Sequence, residues 1–327
     1  MSNDHYVAQT YLKHFGDPAE GGRLHAYRKT DSKRFPAWPR DVCHEWNGDD
    51  NVLLNDHGLL GCFREIFEPY WNSSVQAAVQ GQMGYHDKYV IAGFMANLMV
   101  CTPAWRRVGI SLVKQSMQSQ LSFAKRMKLK HGGRPDLPVE AIEALERGEI
   151  VMDTDPNYVK GLATRQLMQY TWVIYNLDWK LITNDTGSPF VTSDNPVALS
   201  YSGAPNEPVI RFLPITPRLV LAVRFDPKAV PAATRISPQD LEIGLQRPPA
   251  GGVTFRECDR RDALALNAIQ IRSAESLVFS STESDETQRL VRRFAKYRMD
   301  VDVVEYPDPA SDPDAMVTGT ILRVREH

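Results

Sequence analysis

Cysteine is scarce in this chain, and its spacing argues against a common kind of metal site. The 327 residues include four cysteines, and no two of them form a Cys-x-x-Cys pair. A zinc site built from thiolates usually needs such pairs, so the sequence gives no indication of one. Few cysteines, and a start without the basic and apolar regions of a secretory signal, favour a protein of the reducing cytoplasm.

Other absences narrow the choice of function. The sequence contains no phosphate-binding loop, no dinucleotide-binding fingerprint and no His-Glu-x-x-His motif. Its most apolar run, from Tyr89 to Cys101, contains Asn97 and is too short to span a bilayer, which predicts that the protein has no membrane partner. The formal net charge of −2 provides no general attraction to polyanions, so a nucleic-acid site would have to be a local patch.

The hydrophobic pattern changes its period near the middle of the chain. Residues 1–176 repeat apolar side chains at helical spacing, whereas residues 177–327 alternate over short runs between turns and add two late helices. Between these elements lie a linker from Lys130 to Pro138 and a loop from Pro307 to Asp314. The sequence predicts one α+β domain over residues 1–327, in which a helix-rich N-terminal lobe packs on a mostly antiparallel, β-rich C-terminal lobe.

The first predicted helix carries two polar side chains that could act together. Asn3 or Asp4 can cap this helix, whose apolar stripe consists of Val7, Ala8, Tyr11, Leu12 and Phe15. His5 and Gln9 would then lie one turn apart on the flank of that stripe. Histidine is suited to proton transfer near neutral pH. Capping or packing at the chain start is the structural alternative for His5.

A second polar cluster stands where a predicted strand ends. The segment Phe190-Val191-Thr192-Ser193-Asp194-Asn195-Pro196 runs from apolar into polar residues, and its proline favours an extended residue before it. Asp194 and Asn195 could simply form a rigid turn. Alternatively, Asp194 could act as a general base or metal ligand while Ser193 and Asn195 position a polar group.

Two charged residues on predicted helices are candidates for binding. Glu68 lies close to the apolar face of a helix predicted from Leu59 to about Gln80, and could direct a carboxylate into an interior site. Arg106 follows the Thr102-Pro103 break near a helix start, where an anion could be held. Pairing of Glu68 with a basic neighbour and solvation of Arg106 are the structural alternatives.

The two polar motifs resemble the signatures of an uncharacterised bacterial domain-of-unknown-function family. Its members begin with His-Tyr-Val-Pro-Gln-x-Tyr-Leu, which residues 5–12 match except at Ala8, and carry a later Thr-Ser-Asp-Asn-Pro, which residues 192–196 match. Cys101 stands where the family pattern has arginine, so any ligand contact of that arginine would be altered here. The resemblance implies a shared fold and a shared site but no reaction. Weaker matches are Tyr27, Glu68, Thr102-Pro103 with Arg106, Pro214 with Pro217, and Asn267.

The first functional hypothesis is a hydrolase of nuclease or phosphodiesterase type. It would act on a phosphodiester or nucleotide-like substrate, either a small molecule or a nucleic acid, with a divalent metal as its cofactor. Its candidate catalytic residues are His5, Gln9, Asp194 and Asn195. Its candidate substrate-binding residues are Tyr27, Arg106 and Ser193. Its candidate metal ligands are Asp194 and Glu68.

The second hypothesis is a non-enzymatic module that binds a ligand or partner in a stress or phage-defence system. In that case His5, Gln9 and Asp194 are structural and join the two lobes. The two hypotheses differ in an observable way. A catalytic pair needs His5 and Asp194 within one water-bridged contact in an open pocket, whereas a structural pair is buried with its polar atoms bonded to backbone.

Overall fold

A buried helix, α4 (Tyr85–Cys101), lies at the centre of the first half of the protein. Every residue of α4 from Lys88 to Cys101 is buried, which is the pattern of a helix surrounded by other elements on all sides. The computed structural model describes residues 3–130, 138–151, 153–200, 208–225, 248–307 and 316–327.

The elements around α4 are mainly helices, as the sequence predicts for residues 1–176. They are α1 (Gln9–Leu12), α2 (Leu59–Phe67), α3 (Trp71–Val79), α5 (Pro103–Lys130), α6 (Val139–Glu146), α7 (Pro156–Arg165) and α8 (Leu167–Asn176). In the described parts of the chain, none of the helices is long and apolar enough to cross a membrane.

The chain begins with a strand, so the predicted first helix was wrong in its boundaries. Strand β1 (Asn3–His5) pairs antiparallel with β4 (His44–Trp46), and α1 begins only at Gln9 without a side-chain cap. The backbone groups of β1 thus form hydrogen bonds with residues some 40 positions away in the sequence. The helical spacing of apolar residues cannot reveal such a distant partner. The five residues of the predicted apolar stripe are nevertheless all buried: Val7, Ala8, Tyr11, Leu12 and Phe15.

A proline divides the helix that the sequence predicts from Leu59 to Gln80. Pro69 lies in a 3-10 turn (Glu68–Tyr70) between α2 and α3. Because proline lacks an N–H, it removes a hydrogen bond of the α-helical ladder and interrupts the predicted helix at this point. Glu68 is therefore a residue of the turn rather than of a helix.

The second half contains a five-stranded sheet. Its strand order is β10–β5–β9–β8–β7, and all neighbours are antiparallel except β10 and β5. The strands are β5 (Trp179–Thr183), β7 (Ala198–Ser200), β8 (Val209–Thr216), β9 (Leu219–Phe225) and β10 (Val253–Glu257).

A four-stranded sheet joins the two halves of the chain. Two of its strands come from residues 1–176 and two from residues 177–327, so hydrogen bonds cross the boundary between the two predicted lobes. The main apolar cluster also draws on both halves and includes Tyr11 and Phe279. In order across the sheet, the strands are β3 (Arg34–Ala37), β2 (Leu24–Arg28), β11 (Leu277–Ser280) and β6 (Thr192–Ser193).

Two helices and a hairpin complete the described structure. They are α9 (Arg260–Ser273), α10 (Asp285–Arg293) and the antiparallel strands β12 (Tyr297–Pro307) and β13 (Met316–Glu326), which pack against α5. The predicted α+β fold, with a helix-rich N-terminal part on a mostly antiparallel C-terminal part, is confirmed. Residues 131–137 of the predicted linker and 308–314 of the predicted loop lie outside the described residues.

The variant Gly93→Ala tests the packing of α2 on α4. A β-carbon at position 93 would lie 2.3 Å from the ring of Phe67, which is itself buried. Overpacking costs about 1–3 kcal/mol, which outweighs the up to about 1 kcal/mol that alanine gains over glycine in a helix. We expect a lower free energy of unfolding in denaturant titrations.

The matched control is Gly252→Ala, where a β-carbon meets no atom within 4 Å. This variant should change the free energy of unfolding by less than about 0.5 kcal/mol. Equal effects of the two substitutions would show that the Phe67 contact is unimportant.

Candidate functional site

The carboxylate of Asp194 is held by backbone N–H groups. Asp194 follows β6 and is 3% exposed. Its Oδ1 accepts a hydrogen bond from the N–H of Glu275 at 2.9 Å, and its Oδ2 accepts from Ser276 at 2.8 Å and Leu277 at 2.9 Å. These three residues connect α9 to β11, so the carboxylate fixes the path of the chain between a helix and a strand.

Two opposing effects act on the pKa of Asp194. Burial raises this pKa to about 6, while the three backbone N–H donors favour the charged form and oppose the rise. A pKa near 6 would suit a general base. However, both carboxylate oxygens already accept hydrogen bonds inside the protein, and little of the residue is open to a substrate.

The neighbouring side chains of the motif are also bonded within the protein. Ser193 Oγ accepts hydrogen bonds from Gln270 Nε2 at 2.8 Å and from the Asn195 N–H at 3.1 Å. Asn195 Nδ2 donates to the carbonyl of Ser273 at 2.8 Å, and its Oδ1 accepts from Thr102 Oγ1 at 3.2 Å. Asn195 thereby ties the C-terminal end of α4 to that of α9.

The two signature motifs meet through tyrosines in the core. The hydroxyl of the fully buried Tyr11 donates to the carbonyl of Pro214 at 2.6 Å and lies 2.6 Å from Thr192 Oγ1. Burial, followed by the nearby Cys43 thiol and the Asp194 carboxylate, raises the pKa of the Tyr6 phenol. The contact between the motifs is therefore an internal one rather than a cleft.

His5 and Gln9 are not brought together as predicted, because His5 belongs to β1 and Gln9 begins α1. His5 Nε2 lies 3.2 Å from the carbonyl of Arg40 and therefore donates to it, and its ring meets His44 edge-on at 5.4 Å. Burial lowers the pKa of His5. Gln9 is half-buried and forms no side-chain hydrogen bond with a described residue.

Glu68 and Tyr27 also bond within the protein. Glu68 Oε1 accepts a hydrogen bond from Thr10 Oγ1 at 3.0 Å, close enough to His5 to affect its pKa. The buried Tyr27 hydroxyl accepts from the N–H of Ser284 at 2.9 Å. Since Ser284 caps the N terminus of α10, Tyr27 anchors that helix.

Arg106 lies in a cluster of charged groups. Its Nη2 donates to Glu45 Oε2 at 2.7 Å, while its buried Nε has no hydrogen-bond partner. The thiol of Cys101 donates to Asn97 Oδ1 at 3.2 Å. Burial raises the pKa of the Cys101 thiol to about 11, and the charges of Arg106 and Lys160 lie near enough to act on it.

Two cavities of the described structure differ in their relation to the predicted residues. A cleft of about 690 Å³ is lined by residues such as His14, Asp17 and Arg218, and by none of the predicted site residues. A second cavity of about 280 Å³ is bordered by α5, α7 and β8, and Arg106 is the one predicted site residue that lines it.

A family model described as Protein of unknown function (DUF4238) matches residues 3–284 of the chain. The chain belongs to this family. The resemblance to a domain-of-unknown-function family is thereby confirmed, and the matched range contains residues 5–12 and 192–196. That these two segments are signatures of the family stays a prediction. No curated protein and no solved structure matches the chain.

The predicted metal ligands of this DUF4238 protein lie in different surroundings. Asp194 is bonded to the α9–β11 junction, whereas Glu68 is bonded to Thr10 beside α1. Within the described ranges, no group of three or more His, Cys, Asp or Glu side chains could hold a metal ion. Binding of a divalent metal stays a prediction.

The sequence reasoning missed two cationic residues of the smaller cavity, Lys160 and Arg211. Arg211 alternates in β8 with Leu213 and Ile215, both of which are buried. Side chains two apart in a strand face the same side, so an arginine in register with core residues was the available signal. Lys160, which is buried in α7, gave no comparable signal, because residues adjacent in a helix do not face the same side.

The variant Asp194→Ala tests the structural role of this carboxylate. Its removal leaves three N–H groups at the α9–β11 junction without their acceptor, at an expected cost of about 3 kcal/mol or more. We expect a correspondingly lower free energy of unfolding in denaturant titrations. Gln9→Ala, in the other signature motif, is the control and should stay within about 0.5 kcal/mol of the parent. A stable Asp194→Ala variant would contradict the structural role.

Proposed function

We propose that this protein is a non-enzymatic ligand-binding module, whose signature residues hold its two halves together. The observation that carries the proposal is the bonding of Asp194, whose two carboxylate oxygens accept three backbone hydrogen bonds in a buried place. A general base or metal ligand needs an oxygen that can reach a substrate or an ion. The stress or phage-defence setting stays a prediction.

The surroundings of His5 also favour this proposal over a hydrolase. His5 donates from Nε2 to the carbonyl of Arg40, and among the described contacts no hydrogen bond joins it to Asp194. Asp194 lies near enough to Tyr6 of the N-terminal motif for its charge to raise the pKa of the Tyr6 phenol. An acid–base pair would instead need both groups at a common open pocket.

The bonds that join the two halves of the chain extend this argument. Lys88 Nζ donates to the carbonyls of Leu177 at 3.0 Å and Gly251 at 2.6 Å. Lys29 Nζ donates to the carbonyls of Ile271 at 2.9 Å and Ala274 at 2.8 Å. Buried polar side chains in this protein thus serve repeatedly as links between distant backbone segments, which is the role that we assign to Asp194.

A turnover assay tests the proposal against the hydrolase hypothesis. The purified protein is incubated with Mg²⁺, Mn²⁺ or Zn²⁺ and with RNA, DNA and nucleotides, and products are separated by chromatography. We expect no product above a heat-denatured control, because Asp194 is occupied by backbone donors. The proposal is wrong if turnover occurs and His5→Ala abolishes it while keeping the parental melting temperature.

A further inference from the structure

The smaller cavity, of about 280 Å³, has an unusual balance of charge. Most of its wall is apolar and includes Val108, Leu112, Val159 and Leu162. The described residues that line it include three cationic side chains and no acidic one; the three are Arg106, Lys160 and Arg211. A concave apolar pocket with a few convergent polar groups is the usual form of a small-molecule site.

Among the described residues, Arg211 is the cation of this cavity that has neither a carboxylate nor a carbonyl partner. Its guanidinium lies 4.2 Å from the centre of the Phe225 ring and 5.0 Å from that of Trp105, and its Nη1 donates to Met99 Sδ at 2.8 Å. It forms no ion pair with a described residue, and its Nε is buried without a partner. Burial lowers the pKa of Arg211 to about 10.

The other two cations of the cavity are already engaged. Arg106 pairs with Glu45 at 2.7 Å. Lys160 Nζ donates to the carbonyls of Gly48 and Asp50, so its hydrogen bonds are met although its charge is not neutralised by a direct ion pair. The cavity therefore carries an excess of positive charge that is centred on Arg211.

A partly buried guanidinium with no counter-ion among the described residues is costly, because it has lost hydration that its surroundings do not fully replace. The aromatic rings of Trp105 and Phe225 compensate for part of that loss. A bound anion would compensate for more, since guanidinium and carboxylate groups form paired hydrogen bonds. Trp105 Nε1, which is buried without a partner at the same wall, is an additional donor in this region.

We propose that this cavity binds a small organic monoanion, a carboxylate carried on an apolar body, with Arg211 as its counter-ion. The proposal rests on the proposed function, of which it names the ligand class. One cation without a carboxylate or carbonyl partner among the described residues matches a single negative charge, and apolar walls match an apolar body. Inorganic phosphate fits less well, because its strongly hydrated oxygens would face those walls.

Direct binding of probe compounds tests this inference. Benzoate and octanoate are titrated into the full-length protein by calorimetry, with parallel measurement of the melting temperature, which a bound ligand raises by mass action. Acetate and inorganic phosphate lack the apolar body, and benzyl alcohol lacks the charge. We expect benzoate or octanoate to bind at least about tenfold more tightly than these three controls.

Substitutions at Arg211 show where the probe binds. Arg211→Met keeps a long side chain and removes a buried charge, a change that folded proteins often tolerate. We expect it to weaken binding of the tighter probe at least about tenfold, with Arg211→Lys between Met and the parent. Arg224→Met, on the adjacent strand β9 and exposed, is the matched control and should leave binding unchanged.

Three outcomes would overturn the inference: no probe binds the parent protein, benzyl alcohol binds as tightly as benzoate, or binding to the folded Arg211→Met variant is unchanged. Each of these outcomes can occur while the turnover assay shows no product. In that case the inference about this cavity is wrong and the non-enzymatic proposal is unaffected. Conversely, turnover that depends on His5, together with carboxylate binding that depends on Arg211, would refute the non-enzymatic proposal and leave this site standing.

Discussion

The hydrogen bonds of the Asp194 carboxylate are the interaction on which the join between the two halves depends. They fix the residues between α9 and β11, and β11 then pairs with β2 on one side and β6 on the other. A buried carboxylate is costly unless donors replace its hydration, and three N–H groups at 2.8–2.9 Å provide that replacement. The stability of the protein is therefore sensitive to substitution of Asp194, because an apolar side chain at this position would leave the three N–H groups without an acceptor.

Buried lysines extend this way of linking distant segments. Lys29 donates to carbonyls at the C-terminal end of α9, where the helix dipole favours a positive charge. Lys88 donates to the carbonyl of Leu177, just after α8, and to the carbonyl of Gly251, just before β10. Burial lowers the pKa of each lysine to about 8, so each link combines a desolvated charge with at least two carbonyl acceptors. Arg211 differs because its buried charge has no carbonyl or carboxylate acceptor among its described contacts.

This contrast separates structural polar groups from the candidate binding group. Asp194, Asn195 and Tyr27 all bond to backbone or to other side chains of the protein, although their sequence context suggested chemistry. Arg211 stands in an ordinary strand without any motif, yet it is the group left uncompensated at a cavity wall. The ligand site that we propose therefore follows from the incomplete compensation of the Arg211 charge and not from the polarity of a motif.

The sequence by itself determined the class of fold, the mainly helical character of residues 1–176 and the family, because periodicity and local motifs carry that information. It left open whether Asp194 and Asn195 form a rigid turn or a functional site. Only the tertiary structure decided what those side chains bond to, since their partners lie some 75 to 95 residues away. Likewise, pairing with residues 44–46 made the chain start a strand, and packing beside α5 gave Arg211 its cavity. Such contacts depend on which distant segments meet in space, and no local pattern encodes that.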